Sequence, residues 1–134
     1  MSNSMISIAK DLRPLLIARP ELAELVGQKI FPLYAPEDTT GDFIIYQRTD
    51  GGSEVNQMCV SAEWCEVTFN AVSDSYESSV EIAEAIRSVL QGGTVVGNDV
   101  ILDRMSEDYI GVNNAIKYVQ ILVFSVGKPK KDGQ

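Results

Sequence analysis

The sequence predicts an α+β fold in a single domain, a mostly antiparallel β-sheet packed against two main helices, and three observations carry that expectation. Apolar residues recur at helical spacing in two stretches, near residues 5–18 and 77–90. Strict alternation marks residues 62–72 as a strand with one buried face, and a long run rich in β-branched residues closes the fold at Ala115 to Val126. Turn signals at Gly97-Asn98-Asp99 and Asn113-Asn114 tie the later strands to their neighbours as hairpins. A chain of 134 residues suits one core and is too short for two. Residues 1–127 are expected to form the domain, and 128–134 a flexible polar tail.

The first helical stretch places Met5, Ile8, Ala9, Leu12, Leu15 and Leu16 on one side. Pro14 interrupts it, so the expectation is either a kink there or two shorter pieces meeting near Asp11. Arg19-Pro20 opens a second, short helix with Pro20 at its first position and Glu21 near the positive end of its dipole, and Gly27 is its expected left-handed cap. Ile30 to Leu33 is extended, and Pro32 restricts it to a sheet edge or a crossing segment. Residues 35–42, APEDTTGD, form a surface loop. Phe43 to Thr49 has strand propensity and is expected to end at Asp50-Gly51-Gly52, leaving 50–61 as a turn.

In the alternating strand Cys65, Val67, Phe69 and Ala71 face the core, with Trp64, Glu66, Thr68 and Asn70 opposite. Asp74 and Glu77 then suggest a capping-box start for a helix whose buried stripe is Val80, Ile82, Ala83, Ile86, Val89 and Leu90, ended by Gly92-Gly93. A hairpin or bulged strand is expected from Val95-Val96 to Val100–Met105. In the last strand Ile116, Tyr118, Leu122, Phe124 and Val126 oppose Val119, Ile121 and Val123. Apolar residues on both sides imply cover on both sides, or burial by another subunit.

Composition limits function. With 45% hydrophobic and 22% charged residues the chain is of ordinary globular type, and its longest apolar run, Ile121 to Phe124, is far short of the ~20 residues that span a bilayer. No basic and apolar leader opens the sequence, so it is expected to remain in the cytosol. Cys59 and Cys65 read as small buried hydrophobes rather than a disulfide framework. A net charge of −8 argues against a phosphate-binding surface, although an acidic wall lets DNA slide past without sticking.

There is no histidine, which removes the commonest general base and metal ligand. Asp99, Asp103, Glu107 and Asp108 cluster in sequence, but without calcium-loop spacing or its turn glycine they read as solvated charge, with weak divalent-ion binding left open. The paired glycines lack either nucleotide fingerprint, and Tyr34, Tyr46, Trp64, Tyr76, Tyr109 and Tyr118 are scattered in the manner of core or interface aromatics. The inventory contains no catalytic or metal-binding set and calls for no cofactor, so no enzyme activity is expected.

In order, RPELAELVGQKIFPLYAP, FIIYQR, the alternating strand, EIAEAIRSVL and two closing strands with Tyr109 and Tyr118 resemble the tail completion (tail terminator, head-tail joining) family of bacteriophages and prophages. The resemblance spans roughly residues 6–126 and rests on the order and spacing of Leu25-Val26-Gly27, Ile30 with Pro32, Ala35-Pro36 and Ile45-Tyr46. The sequence departs from that pattern at Asp42, where a proline commonly precedes the strand, and at Pro14. The resemblance implies a structural protein, not an enzyme, that forms a ring, usually hexameric, on the tail tube. Such a ring stops tube growth and presents a surface to the head connector. Its partners would be further copies of itself, the tail tube protein and the head connector or stopper protein, with DNA only as passing cargo and no membrane. It would occupy the host cytoplasm during assembly and the virion tail thereafter. Tyr34, Pro36, Glu37, Asp38, Asp50, Glu54 and Gln57, on the loop 35–42 and the turn 50–61, are the candidate subunit or partner contacts. Two other readings stand beside this one: a neck or head-closure component, and a small-ligand-binding regulatory α+β domain.

Overall fold

The structure, a computed structural model, describes residues 5–55 and 61–127. A 3-10 turn, Met5–Ser7, leads into α1, Ile8–Ile17, which buries Ile8, Leu12 and Leu16. The helix runs through Pro14 as one element, so no junction forms near Asp11; the change of helix type falls at Ser7 instead. The proline leaves the Lys10 carbonyl without its ladder partner, and Lys10 is exposed, where water can serve that oxygen.

Pro20 occupies the first turn of α2, Pro20–Val26, as its fixed φ favours. Gly27 ends the helix with φ 62° and ψ −127°. That is not the left-handed helical cap that the sequence suggested. Together with the 3.0 Å bond from Lys29 N to Val26 O it forms a type II′ turn, which needs glycine even more strictly because a Cβ cannot occupy this region.

The strands are β1 (Ile30–Pro32), β2 (Phe43–Val55), β3 (Ser61–Ser73), β4 (Thr94–Val95), β5 (Asn98–Val112) and β6 (Ala115–Val126). They form one sheet in the order β1-β2-β3-β6-β5-β4, antiparallel except for β1 against β2. Pro32 lies on the edge strand, as its missing N–H requires. Asp50-Gly51-Gly52 does not end β2. A bulge at Thr49 absorbs one residue and pairing resumes from Asp50↔Glu66 to Val55↔Ser61, so most of the expected 50–61 turn is strand. The glycines are there for contact: a Cβ on Gly52 would stand 3.2 Å from Trp64 Nε1, and one on Gly51 3.2 Å from Trp64 O.

α3, Tyr76–Leu90, starts one residue later than the expected cap. Ser75 is the N-cap, its Oγ accepting from Ser78 N at 3.3 Å, while Asp74 pairs with Lys117 Nζ at 2.6 Å. The β4–β5 turn is Val96-Gly97, with φ 49° and 80°, rather than Gly97-Asn98-Asp99, and its register is Val95↔Asn98. Asn113 and Asn114, φ 50° and 66°, make the two-residue turn between β5 and β6 as their identities predict.

All helices pack on one side of the sheet. The core holds Ile8, Leu12, Leu16, Leu22 and Val26 from α1 and α2 and Ile82, Ile86 and Leu90 from α3. From the strands it takes Ile44, Tyr46, Val67, Phe69, Leu122, Phe124 and Val126. Phe69 is its centre, with Tyr46 stacked at 6.0 Å and Phe124 edge-on at 5.7 Å between ring centres. Val72, Val119 and Val123 are also buried but face the other way, outside that cluster. The two apolar faces expected of the last strand are therefore real.

Candidate assembly surfaces

The loop after β1 projects from the edge of the sheet. Leu33 adopts φ 71° and donates from its N to Tyr46 O at 2.9 Å, which turns the chain outward and leaves Tyr34 73% exposed. Tyr34, Pro36 and Glu37 line a shallow depression of about 650 Å³ with Phe31, Pro32 and Ala35, and Asp38 stands exposed beside it. Lys29 Nζ secures the far end of the loop by donating to Thr40 O at 2.7 Å. Four of the candidate contacts thus share one surface.

The other three do not join them. Asp50 lies on β2, opposite Glu66, with Oδ1 accepting from Gly51 N at 2.8 Å. Glu54 is a strand residue paired with Ala62, and Gln57 lies outside the described residues. The sequence suggested a second recognition loop here, because Asp-Gly-Gly is strong turn chemistry. Pairing with the long β3 overrides it.

The acidic stretch of β5 does not form one cluster. A bulge between Leu102 and Arg104 reverses the facing of everything beyond it, so Asp99 and Asp103 do not share a regular face. Arg104 crosses β6 to make a forked pair with Glu66, Nη2 to Oε1 and Nη1 to Oε2 at 3.1 and 3.2 Å, and also reaches Asp103 at 3.1 Å. Glu107 turns to the helix side, where its Oε1 accepts from Tyr76 Oη at 2.8 Å and Gln120 Nε2 at 3.1 Å. Those two donors hold its carboxyl below the ordinary glutamate range, and the same bond raises the Tyr76 phenol. Asp108 Oδ1 accepts from Tyr109 N at 2.8 Å. Among the described residues no group of three or more His, Cys, Asp or Glu side chains converges on a metal-sized site.

A second open depression, about 490 Å³, lies on the helix side of β2 and β3 between Met5, Ile6, Arg48, Gly51, Ser53 and Glu63. Arg48 Nη1 donates to Ile6 O at 2.6 Å and Glu63 Oε1 accepts from Met5 N at 3.0 Å, so the N-terminal turn forms one wall. Cys65 lies at this depression, where burial raises its thiol pKa and keeps it protonated and weakly nucleophilic.

Two further features were not anticipated from the residue pattern. Beyond the bulge, residues 103–111 of β5 are all exposed, including Met105, Tyr109 and Ile110 at 61%, 66% and 51%. In addition, β1 covers β2 only at Ile44 to Tyr46, and among the described residues no other strand pairs along the rest of that edge.

Exposed loops, open strand edges and apolar side chains on a rigid sheet define a structural, assembly-type subunit. The chain belongs to the tail completion protein gp17 family, whose sequence model matches residues 10–114. It is a phage structural protein of the tail or neck. Its fold is also that of a chain in the virion of a native gene transfer agent particle, at TM-score 0.72 and 14% identity, covering 90% of this chain and 96% of that one. A second solved structure shares the fold at TM-score 0.56 and 15% identity over 98% and 99% of the two chains. No curated protein matches the sequence at a significant level.

Proposed function

We propose that this protein caps the tail tube as a ring, of the sixfold symmetry that the family resemblance implies, ends tube polymerisation and forms the head-tail joining surface. The observation that carries this reading is membership of the tail completion family across residues 10–114, which takes in every helix-facing strand except β6. A ring follows from ordinary symmetry: a head-to-tail contact whose rotation closes gives a ring with two unlike faces. One face matches the last ring of the tube and the other does not, so growth ends. Further copies of the chain, the tail tube protein and the head connector are the partners. Tyr34, Pro36, Glu37 and Asp38 form the first contact surface; Asp50 and Glu54, on β2, and Gln57, outside the described residues, are the remaining contacts. The net charge of −8 suits a lumen through which DNA passes as cargo.

Residues 1–127 act as the assembly domain; the expected tail, 128–134, lies outside the described residues. Assembly takes place in the host cytoplasm and the product resides in the virion tail. A neck or head-closure role is the second reading, since the family and the likeness to a virion chain are compatible with tail and neck alike. Light scattering on the purified protein, with electron microscopy of mixtures with tail tubes, separates the two. Density capping one tube end supports termination. Binding to connector rings with bare tube ends overturns it in favour of the neck.

A further inference from the structure

Resting on the ring reading, we infer that neighbouring subunits join by strand addition: the open edge of β5 pairs with the open edge of β2 on the next copy, continuing the sheet around the ring.

Both edges lack a strand partner over long stretches among the described residues, and only Asp50 and Asp108 cap an amide there, at Gly51 and Tyr109. β1 pairs with β2 only through Tyr46, after which Leu33 N takes Tyr46 O, and no described backbone group bonds the outer edge from Gln47 to Val55. On the other side β4 covers Asn98 and Asp99. The loop after α3 serves Val100 through Gly92 N and Gly93 O, and Gln91 Oε1 accepts from Leu102 N at 2.6 Å. From Asp103 to Val112 the described residues supply one further partner, Asp108 Oδ1, which accepts from Tyr109 N at 2.8 Å. Each open stretch is about nine residues, on the order of 30 Å.

Open edges of this length invite pairing, and proteins that avoid it place proline, lysine or unengaged charge there. Residues 103–112 contain neither proline nor lysine. Two of their charges are engaged on the faces of the sheet, Arg104 with Glu66 and Glu107 with Tyr76 and Gln120, while Asp108 caps the Tyr109 amide locally. The rest of the edge is left available.

The two edges also fit each other. β2, β3, β6 and β5 alternate in direction, so β2 and β5 run oppositely and a copy rotated about a ring axis presents β2 antiparallel to β5. Across the sheet Gln47 is level with Thr68, Val123 and Arg104, so the open stretches leave that level in opposite directions. Joining them staggers each copy by about seven residues, on the order of 24 Å, and a repeated stagger of one sign is what tilts strands in a closed barrel. On the helix side, Met105 and Tyr109 of the β5 edge then come beside Gly51 and Ser53 of β2. The small side chains there leave an open depression, walled by Met5 and Ile6 beside Arg48 and Glu63, that can seat them.

Hydrogen exchange on the full-length protein, as monomer and as ring assembled at high concentration or on tail tubes, tests this. Amides of 103–111 and 47–53 are expected to slow at least ~10-fold in the ring. Met105→Lys with Tyr109→Lys, both exposed, is expected to leave the monomer melting temperature unchanged and to lower ring yield at least ~10-fold, since edge lysines oppose pairing. Rings in which either edge exchanges at the monomer rate overturn strand addition while the ring reading stands. Protection of one edge alone, in a dimer, overturns it in favour of like-edge pairing. Failure to form rings even on tail tubes overturns both.

Discussion

Glu107 shows how one carboxylate ties the exposed end of β5 to the body. It accepts from Tyr76 at the start of α3 and from Gln120 on β6, and Tyr76 packs edge-on against Tyr118 at 5.8 Å. Its pKa lies below the ordinary 4.5. A depressed carboxylate stabilises the folded state above its unfolded pKa, and that contribution disappears as pH falls through the folded one. Acid titration by circular dichroism should therefore show stability declining from about pH 5 downward, and Glu107→Gln should flatten that decline while lowering stability at pH 7. An unchanged acid profile in the variant would count against the Tyr76–Glu107–Gln120 cluster. The site is exposed, so screening keeps the effect small.

At the scale of elements, two turns make opposite predictions. Gly27 has φ 62° and ψ −127° with open space around an added Cβ, so Gly27→Ala meets backbone strain alone and should cost at least ~1 kcal/mol. Val96 is a β-branched residue at φ 49° in a two-residue hairpin turn that favours Asn-Gly. Val96→Asn should add about 0.5–1 kcal/mol, since it removes left-handed strain at a half-exposed site. Thermal melts read both, at roughly 3–5 °C per kcal/mol for this chain length. The same turns show what the sequence could reveal. Asn113-Asn114 was legible because both residues tolerate positive φ, and β6 was legible from Ala115 to Val126 because its pattern is unbroken. The Val96-Gly97 turn was not, since tertiary pairing forces valine into a conformation it disfavours. The Asp50-Gly51-Gly52 signal misled for the same reason: local turn chemistry lost to a long cross-strand ladder. Of the candidate contacts, the loop bearing Tyr34, Pro36, Glu37 and Asp38 was legible from its punctuation. The open edges were not, because an edge is defined by which strands are missing beside it, and no residue encodes that directly.

For the molecule as a whole, charge and interface make a joint prediction. Each chain carries −8, so a ring of six would gather roughly −50 and repel itself at low ionic strength. Strand addition supplies backbone hydrogen bonds and apolar contacts from Met105 and Tyr109, neither of which salt weakens. Screening should therefore favour assembly: the Debye length falls from ~30 Å at 0.01 M to ~10 Å at 0.1 M, comparable with the spacing between neighbouring subunit surfaces. Sedimentation velocity across that range should show the concentration needed for ring formation falling several-fold as salt rises. An interface held by ion pairs between copies predicts the reverse. Among the described residues, Arg104 is already committed to Glu66, Lys117 to Asp74 and Arg48 to the Ile6 carbonyl. Dissociation by added salt would thus overturn the backbone-mediated contact.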